Sequence, residues 1–217
     1  MVSRMKRVIY LSSTRNGELL LEFLRTQACK IIVANTINER LTHFPEYDLG
    51  ISFLYTYKIP ASEFREPYKW VNFHPGPLPE FRGRNLAYHA IMQKSASFGA
   101  TIHYMDAEFD TGEIIEVQRF PIEETDTAGD LVRKSHNLLV KLFMKHIPLL
   151  LRGKLPSYPQ GPGTYYQKVE IVGHIQLNDE QQRLIRAVTV APRYYATTTI
   201  GGKLYRIVAL QESNSYE

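Results

Sequence analysis

The stretch Trp70-Val71-Asn72-Phe73 has the pattern of a short buried strand, and His74-Pro75-Gly76-Pro77 follows it directly. Three similar apolar runs precede it, at residues 8–11, 31–34 and 49–55. A helical spacing of leucine and phenylalanine separates the first two runs, and a shorter helix is expected after Pro60. Strands that alternate with helices are typical of a parallel, wound α/β sheet. We therefore predict an α/β fold with a wound, mostly parallel sheet.

Two polar side chains stand at the end of this fourth strand. Asn72 and His74 are two residues apart, so the period of a strand points them to the same face. A carboxylate follows later in the Gly-containing run Phe109-Asp110-Thr111-Gly112. In wound sheets, ligands collect beyond the carboxyl ends of the strands. An amide, an imidazole and a carboxylate can together move a proton and stabilise a developing oxyanion, so Asn72, His74 and Asp110 are the candidate catalytic set.

The rest of the chain predicts further helices and strands and a division into two domains. We expect a helix over residues 86–96 and strands on both sides of the Asp110 loop. A long helix should then begin at the capping pair Thr127 and Asp130 and end at Pro148 and Gly153. Beyond it the chain turns into a connector rich in Pro, Gly and Tyr, then a short helix at residues 175–187 and a hairpin turning at Gly201-Gly202. We predict a catalytic domain over residues 1–155 and a C-terminal extension over residues 156–217, which is too small for an independent core.

The composition is that of an ordinary globular protein. Of 217 residues, 44% are hydrophobic and 22% charged, which allows a real core. No apolar run is long enough to cross a membrane, and the formal net charge of +4 comes without the basic stripe of nucleic-acid-binding proteins. We therefore expect a soluble, cytoplasmic protein that binds neither nucleic acid nor membrane. The one cysteine, Cys29, is assigned to a helix as a buried, inert thiol, which excludes an internal disulfide.

Residue patterns alone leave two other classes of function open. Pro75, Pro77 and Pro79 stiffen the chain after His74 into an extended course, so the segment could present a polyproline surface to a partner without any catalysis. His74, His103 and Asp110 could be imagined as zinc ligands. However, no pair with metal-ligand spacing such as His-x-x-x-His is present, and we predict no metal.

Several motifs in a fixed order narrow the choice. Asn72-x-His74-Pro75-x-x-Leu78-Pro79-x-x-Arg82-Gly83 is followed by Gly99-Ala100-Thr101-Ile102-His103 and by Met105-Asp106-x-x-x-Asp110-Thr111-Gly112. Over roughly residues 50–145, these motifs resemble the formyltransferases that use N10-formyltetrahydrofolate. The resemblance implies a Rossmann-like catalytic domain, N10-formyltetrahydrofolate as co-substrate, and Asn72, His74 and Asp110 as catalytic residues. A carboxylate beside His74 would favour the imidazolium form of that ring.

The resemblance also implies two binding segments. In the family, the segment after the third strand and the loop that carries the catalytic Asp line the folate pocket. These correspond to Tyr57, Lys58, Ile59, Asp106, Ala107, Glu108 and Phe109, although ordinary packing explains Tyr57 and Ile59 equally well. The predicted substrate-binding residues are Pro75, Gly76, Arg82, Gly83, Arg84 and Asn85. The surplus of positive charge around Arg82 and Arg84 suits a phosphorylated substrate.

The chain most resembles the sugar-nucleotide branch of this family. Glycinamide ribonucleotide formyltransferases open with a Ser-Gly-x-Gly-Ser-Asn loop that binds a phosphate at a helix N-terminus, whereas this chain has Ser12-Ser13-Thr14-Arg15-Asn16-Gly17. Methionyl-tRNA formyltransferases carry a larger RNA-binding domain than the residues after Pro156 provide. Both activities are kept as alternatives.

The sugar-nucleotide branch implies formylation of a nucleotide-linked amino-deoxysugar, such as dTDP-4-amino-4,6-dideoxyglucose, for surface polysaccharides such as the lipopolysaccharide O-antigen. A tyrosine of the connector could stack on the nucleotide base, and Arg84 with Lys168 could meet the pyrophosphate. The hairpin near the C-terminus is expected to build a homodimer, with a lid on the monomer as the simpler alternative.

Overall fold

A computed structural model of the chain describes residues 4–14, 16–36, 39–64, 69–168, 197–200 and 203–206. The chain divides into two compact units, residues 1–122 with 127–169 and residues 123–126 with 170–217. No helix among the described residues is both long and apolar enough to cross a membrane. The predicted helix at residues 175–187 lies outside the described residues.

The first unit is built on a six-stranded mixed sheet with strand order β2-β1-β3-β4-β6-β7. Neighbouring strands from β2 to β4 are parallel, and β6 and β7 add antiparallel strands at one edge. The strands are β1 (Lys6–Ser12), β2 (Cys29–Asn35), β3 (Leu49–Phe53), β4 (Trp70–His74), β6 (Ser97–Tyr104) and β7 (Ile114–Pro121). The predicted wound, mostly parallel α/β fold is confirmed.

Helices and short strands complete the described part of this unit. They are α1 (Asn16–Arg25), a 3₁₀ turn (Ala61–Phe64), α2 (Leu86–Met92), α3 (Ala128–Leu150) and the two-residue strands β5 (Arg82–Gly83) and β8 (Tyr165–Tyr166). The predicted capping pair of α3 is confirmed, because the Thr127 hydroxyl accepts from the Asp130 N–H while the Asp130 carboxylate accepts from the Thr127 N–H. In the second unit, β9 (Thr197–Ile200) and β10 (Lys203–Arg206) form the expected antiparallel hairpin.

Two element predictions were wrong in detail. Cys29 is not helical: α1 ends at Arg25, where the Thr26 hydroxyl bonds the Phe23 carbonyl, and Cys29 begins β2. A side-chain hydroxyl that competes for a helix carbonyl favours such an end. The thiol of Cys29 is half-buried, and burial raises its pKa, which lowers the share of the reactive thiolate. Pro148 does not end α3 but lies within its last turn, two residues before Leu150.

Alternation along the central strands decides what each face of the sheet carries. Val71 and Phe73 of β4 point into the main core, where Phe143 of α3 packs on the Phe73 ring with 5.1 Å between ring centroids. Trp70 points to the opposite face and packs in a second cluster with Ile9 and Leu11 of β1. Asn72 and His74 share that opposite face by the same period of two. The core on one side thus fixes the strand that carries the polar residues on the other.

Candidate active site

The antiparallel pairing of β4 with β6 sets the first layer of the site. Asn72 lies opposite His103, and His74 lies opposite Thr101. The Asn72 amide nitrogen is 3.2 Å from His103 Nε2. The buried Thr101 hydroxyl donates to the Gly76 carbonyl and accepts from the Leu78 N–H. It therefore anchors the proline-rich loop that leaves His74.

The loop between β6 and β7 brings the carboxylate to this face. Asp110 Oδ1 lies 3.4 Å from His74 Nδ1 and 3.9 Å from His103 Nε2. Its backbone has a φ of 58°, a left-handed conformation that Asp tolerates better than most residues. The structure thus brings together Asn72, His74 and Asp110, the three predicted catalytic residues.

The two nitrogens of the buried His74 ring both face oxygen acceptors. Nε2 is 2.7 Å from the Phe81 carbonyl, and Nδ1 faces the Asp110 carboxylate. A carbonyl can only accept, so Nε2 carries a hydrogen that it donates to Phe81. An imidazolium, with a hydrogen on each nitrogen, satisfies both partners. The two contacts of His74 therefore suit an imidazolium ring beside Asp110.

Asp110 stays ionised although it is largely buried. Burial by itself raises the pKa of this carboxyl, but the nearby His74 and His103, the Gly83 N–H and Arg82 outweigh burial and hold the pKa below its usual value. The Gly83 N–H donates to Asp110 Oδ2 at 2.9 Å. A carboxylate that accepts a backbone N–H beside cationic groups is stabilised in its charged form.

Gly83 is needed in this arrangement. Its φ is +94°, and a Cβ added there would lie 2.1 Å from the Tyr166 carbonyl oxygen of β8. Only glycine adopts this conformation and close approach without strain. The predicted motif residue Gly83 therefore presents its N–H to the Asp110 carboxylate through a backbone that no other residue fits.

Gln160, a connector residue that no sequence motif marks, holds two parts of the site together. Gln160 Oε1 accepts from Arg82 Nε at 3.1 Å and from an Arg82 terminal nitrogen at 2.8 Å. Gln160 Nε2 donates to the Asp110 carbonyl at 3.0 Å and to the Gly112 carbonyl at 2.7 Å. Gln160 thus bonds the loop that carries Asp110 to the loop that carries Arg82, and the Arg82 guanidinium is engaged inside the protein.

The other predicted substrate residues lie around this loop. Pro75, Gly83 and Asn85 are half-buried, Gly76 is buried, and Arg84 is exposed, with its guanidinium 3.4 Å from the Thr56 carbonyl. Lys168 is also exposed. Of the connector tyrosines, Tyr166 is already stacked between Phe81 and His89, at 5.6 and 4.3 Å between centroids. The exposed tyrosines of the connector are Tyr158 and Tyr165.

The predicted folate-binding residues fall into two groups. Tyr57, Lys58, Asp106, Ala107, Glu108 and Phe109 are exposed, and the Lys58 ammonium lies 5.1 Å from the centre of the Phe109 ring. The side chain of Ile59, by contrast, is buried in the cluster around Trp70. An exposed aromatic ring with a cation over it therefore lies next to Asp110 in the chain, while Ile59 packs in the core.

The loop after β1 differs from a phosphate cradle. Ser13, Thr14, Glu18 and Thr36 line an open cavity of about 420 Å³. Glu18 stands in the first turn of α1, where its negative charge disfavours an anionic ligand. Among the described residues, no group of three His, Cys, Asp or Glu side chains is arranged to hold a metal ion.

A known family model matches the part of the chain that carries the site. Residues 53–147 match the family model described as formyl transferase. Residues 53–147 form a formyl transferase domain. The match includes Asn72, His74 and Asp110, and the predicted resemblance is confirmed at the level of the family.

Solved structures share the fold of this formyl transferase domain. The formyltransferase PseJ from Anoxybacillus kamchatkensis, in complex with UDP-4,6-dideoxy-4-formamido-L-AltNAc and tetrahydrofolate, is 24% identical with a TM-score of 0.64, covering 86% of this chain and 93% of that chain. A 4-N formyltransferase from Francisella tularensis is 20% identical with a TM-score of 0.68, covering 95% and 98%.

Curated relatives include longer proteins. The methionyl-tRNA formyltransferase of Geobacillus thermodenitrificans is 33% identical over 167 residues, which are 74% of this chain and 52% of that protein. A methionyl-tRNA formyltransferase of Listeria welshimeri is 28% identical over 81% of this chain and 55% of its own length. The chain spans about half the length of the curated relatives that it matches.

Proposed function

We propose that this protein is a sugar N-formyltransferase, which moves the formyl group of N10-formyltetrahydrofolate to the amino group of a nucleotide-linked amino-deoxysugar. The observation that carries the proposal is the convergence of Asn72, His74 and Asp110 within a formyl transferase domain. The dTDP-4-amino-4,6-dideoxyglucose type of substrate, a role in O-antigen synthesis, a cytoplasmic location and a homodimer belong to the same proposal.

The proposed reaction joins the substrate amine to the formyl carbon. As the new C–N bond forms, the formyl oxygen gains negative charge, to which the Asn72 amide N–H donates while the His74 imidazolium adds positive charge. Asp110, kept ionised beside His74, accepts the proton that the attacking amine loses. The bond from carbon to N10 then breaks, N10 takes up a proton, and tetrahydrofolate leaves.

The choice of an amino sugar rests on two supports. The structures that match almost end to end include a formyltransferase crystallised with UDP-4,6-dideoxy-4-formamido-L-AltNAc. Glu18 adds a negative charge to the first turn of α1, close to the loop after β1, which disfavours the phosphate of glycinamide ribonucleotide. N10-formyltetrahydrofolate as donor is supported by the tetrahydrofolate bound in the Anoxybacillus structure and by the exposed Phe109 and Lys58 near the site.

Methionyl-tRNA formylation is the second candidate. It is favoured by the sequence identity to the Geobacillus enzyme, which is higher than that to the sugar formyltransferases. Both candidates use the same donor and the same catalytic residues, so only the acceptor separates them.

A panel of acceptors tests the proposal. The purified protein is mixed with N10-formyltetrahydrofolate and nucleotide-linked 3-amino or 4-amino 6-deoxysugars, with glycinamide ribonucleotide and methionyl-tRNA in parallel, and tetrahydrofolate release is measured. We expect turnover with an amino sugar only, lost in Asn72→Ala, His74→Ala and Asp110→Ala. Turnover with glycinamide ribonucleotide or methionyl-tRNA alone would overturn the choice of acceptor, and no turnover with any amine would overturn the activity.

A further inference from the structure

His103 is a buried histidine that the proposed mechanism leaves without a role. It lies opposite Asn72 in the β4–β6 ladder, and its side chain is 1% exposed. Its Nδ1 is 2.6 Å from the Tyr104 carbonyl oxygen, and its Nε2 is 3.2 Å from the Asn72 amide nitrogen. Both ring nitrogens therefore have one defined partner each.

These two contacts determine the tautomer of the ring. A carbonyl oxygen only accepts, so Nδ1 must carry the hydrogen that it donates to Tyr104. If the ring is neutral, Nε2 is then a lone pair that accepts from its partner. The Asn72 side chain must in turn present its NH2 group, and not its carbonyl, to His103. The amide oxygen of Asn72 consequently points away from His103.

The surroundings of His103 keep the ring neutral. Burial lowers the pKa of His103 to about 4, and the nearby His74 acts in the same direction, while Asp110, the Tyr104 carbonyl and Asp106 oppose them. Asp110 at 3.9 Å is too far to accept a hydrogen bond from Nε2. His74 and His103 thus differ in their surroundings. The His74 ring faces two acceptors, whereas the His103 ring faces one acceptor and one donor.

We propose that His103 is a positioning residue, which accepts one N–H of Asn72 on Nε2 and so fixes the amide with its second N–H free for the formyl oxygen. An Asn amide without such an acceptor can turn by half a rotation and present its oxygen to the developing oxyanion, which would repel it. This role rests on the proposed function, since it assigns His103 to the same reaction.

The state of the ring is tested on the wild-type protein. Long-range ¹H–¹⁵N NMR of uniformly labelled protein reports which nitrogen of each histidine carries hydrogen, and the His103 signals are assigned by their loss in His103→Gln. We expect a neutral ring with hydrogen on Nδ1 from pH 8 down to pH 5. A ring with hydrogen on Nε2 at pH 7, whether neutral or charged, would overturn the proposal, whatever the protein's substrate.

The kinetics of two His103 variants test whether His103 acts by orienting the Asn72 amide. His103→Leu removes the acceptor, and we expect kcat to fall roughly 30-fold or more, with the KM for N10-formyltetrahydrofolate unchanged within about twofold. His103→Gln places an amide oxygen near the position of Nε2 and should keep kcat within about fivefold of wild type. Equal kcat losses in the two variants, both folded by circular dichroism, would contradict the role.

A double-variant cycle separates positioning from a purely structural effect. In the Asn72→Ala background, we expect His103→Leu to lower kcat by less than about threefold, because the amide that it orients is gone. The same 30-fold loss in both backgrounds would show that His103 only supports the fold. If the wild-type protein forms no formylated amino sugar, the proposed function fails on that result alone, and the NMR experiment still decides the state of His103.

Discussion

The two neighbouring histidines His74 and His103 differ in the partners that their ring nitrogens face. Nδ1 of His74 faces the Asp110 carboxylate, whereas Nε2 of His103 faces the Asn72 amide. The same residue type is thus arranged for a charged ring in one place and for a neutral ring in the other. Burial keeps the His103 ring neutral, and the hydrogen-bond partners of each ring suit these two states.

Stability of the folded protein should depend on His103 as the pH falls. The unfolded chain takes up a proton on this ring near pH 6.5, while the folded protein resists it until about pH 4. Stability that is fully present above pH 6.5 is therefore lost as the pH falls towards 4, by roughly 2 to 3 kcal/mol at pH 4.5. Urea unfolding at pH 7 and 4.5 should show this loss in wild type and less of it in His103→Gln. Identical pH dependence of the two proteins would contradict the buried neutral ring.

Gly83 offers a second test at the level of one residue. Gly83→Ala should destabilise the protein by about 2 kcal/mol or more, because it combines a left-handed backbone with a clash against the Tyr166 carbonyl. It should also lower kcat, since the Gly83 N–H is bonded to Asp110. Gly153→Ala is the matched control, because nothing lies within 4 Å of a Cβ there. Thermal melts of both variants measure the difference, and equal melting temperatures would refute it.

The sequence could predict which residues form the candidate catalytic set, but not the partners of these residues. Asn72 and His74 share a face because strands have a period of two, which is visible in any sequence. The role of His103 depends on the antiparallel register of β4 with β6, and no local pattern reports that register. The burial of Ile59, a predicted folate-binding residue, could not be predicted either, because only the packing around Trp70 shows it.

At the level of elements, the connector after α3 supports the Asp110 loop more than its composition suggested. β8 pairs with β5 over two residues each, Arg82 with Tyr165 and Gly83 with Tyr166. Strands this short carry no recognisable alternation, so the pairing could not be predicted. The pairing brings Gln160 against the Asp110 loop, and it also uses Tyr166 as a packing residue, which leaves Tyr165 and Tyr158 as the exposed rings.

Removal of the Gln160 side chain should loosen this support. Gln160→Leu leaves the carbonyls of Asp110 and Gly112 and the Arg82 guanidinium without their partner, and we expect a loss of about 1–3 kcal/mol in stability. The rate should fall about tenfold or more, because the site is placed less accurately. Gln27→Leu is the control: Gln27 is also half-buried and bonds a carbonyl, but at the end of α1. Wild-type rates in Gln160→Leu would contradict this role.

At the level of the whole molecule, the site depends on the packing on the other face of its sheet. Phe143 of α3 contacts the rings of Tyr10, Phe53 and Phe73, with centroids 5.1–5.9 Å apart. Phe73 lies between Asn72 and His74 in the chain. The core thus holds the strand from one side while the polar residues face the other, whereas the alternation of the sequence predicted only that Asn72 and His74 share a face.

Removal of the Phe143 ring should strongly lower the free energy of unfolding. Phe143→Ala is expected to cost about 3–5 kcal/mol, since it leaves a cavity among fully buried rings. Met144→Ala changes the next residue of the same helix, whose side chain is 48% exposed, and should cost less than about 1 kcal/mol. Urea denaturation compares the two. A similar midpoint for both variants would show that the core is not centred on Phe143.

The most direct test of the account is the rate of formyl transfer by Asp110→Asn, measured with the amino sugar that the wild-type protein formylates. The substitution keeps the size of the side chain and removes the charge that faces His74 and accepts the proton. We predict a fall in kcat of at least about 100-fold with the fold intact by circular dichroism. A folded Asp110→Asn protein that turns over at the wild-type rate would contradict the central claim that this carboxylate drives the transfer.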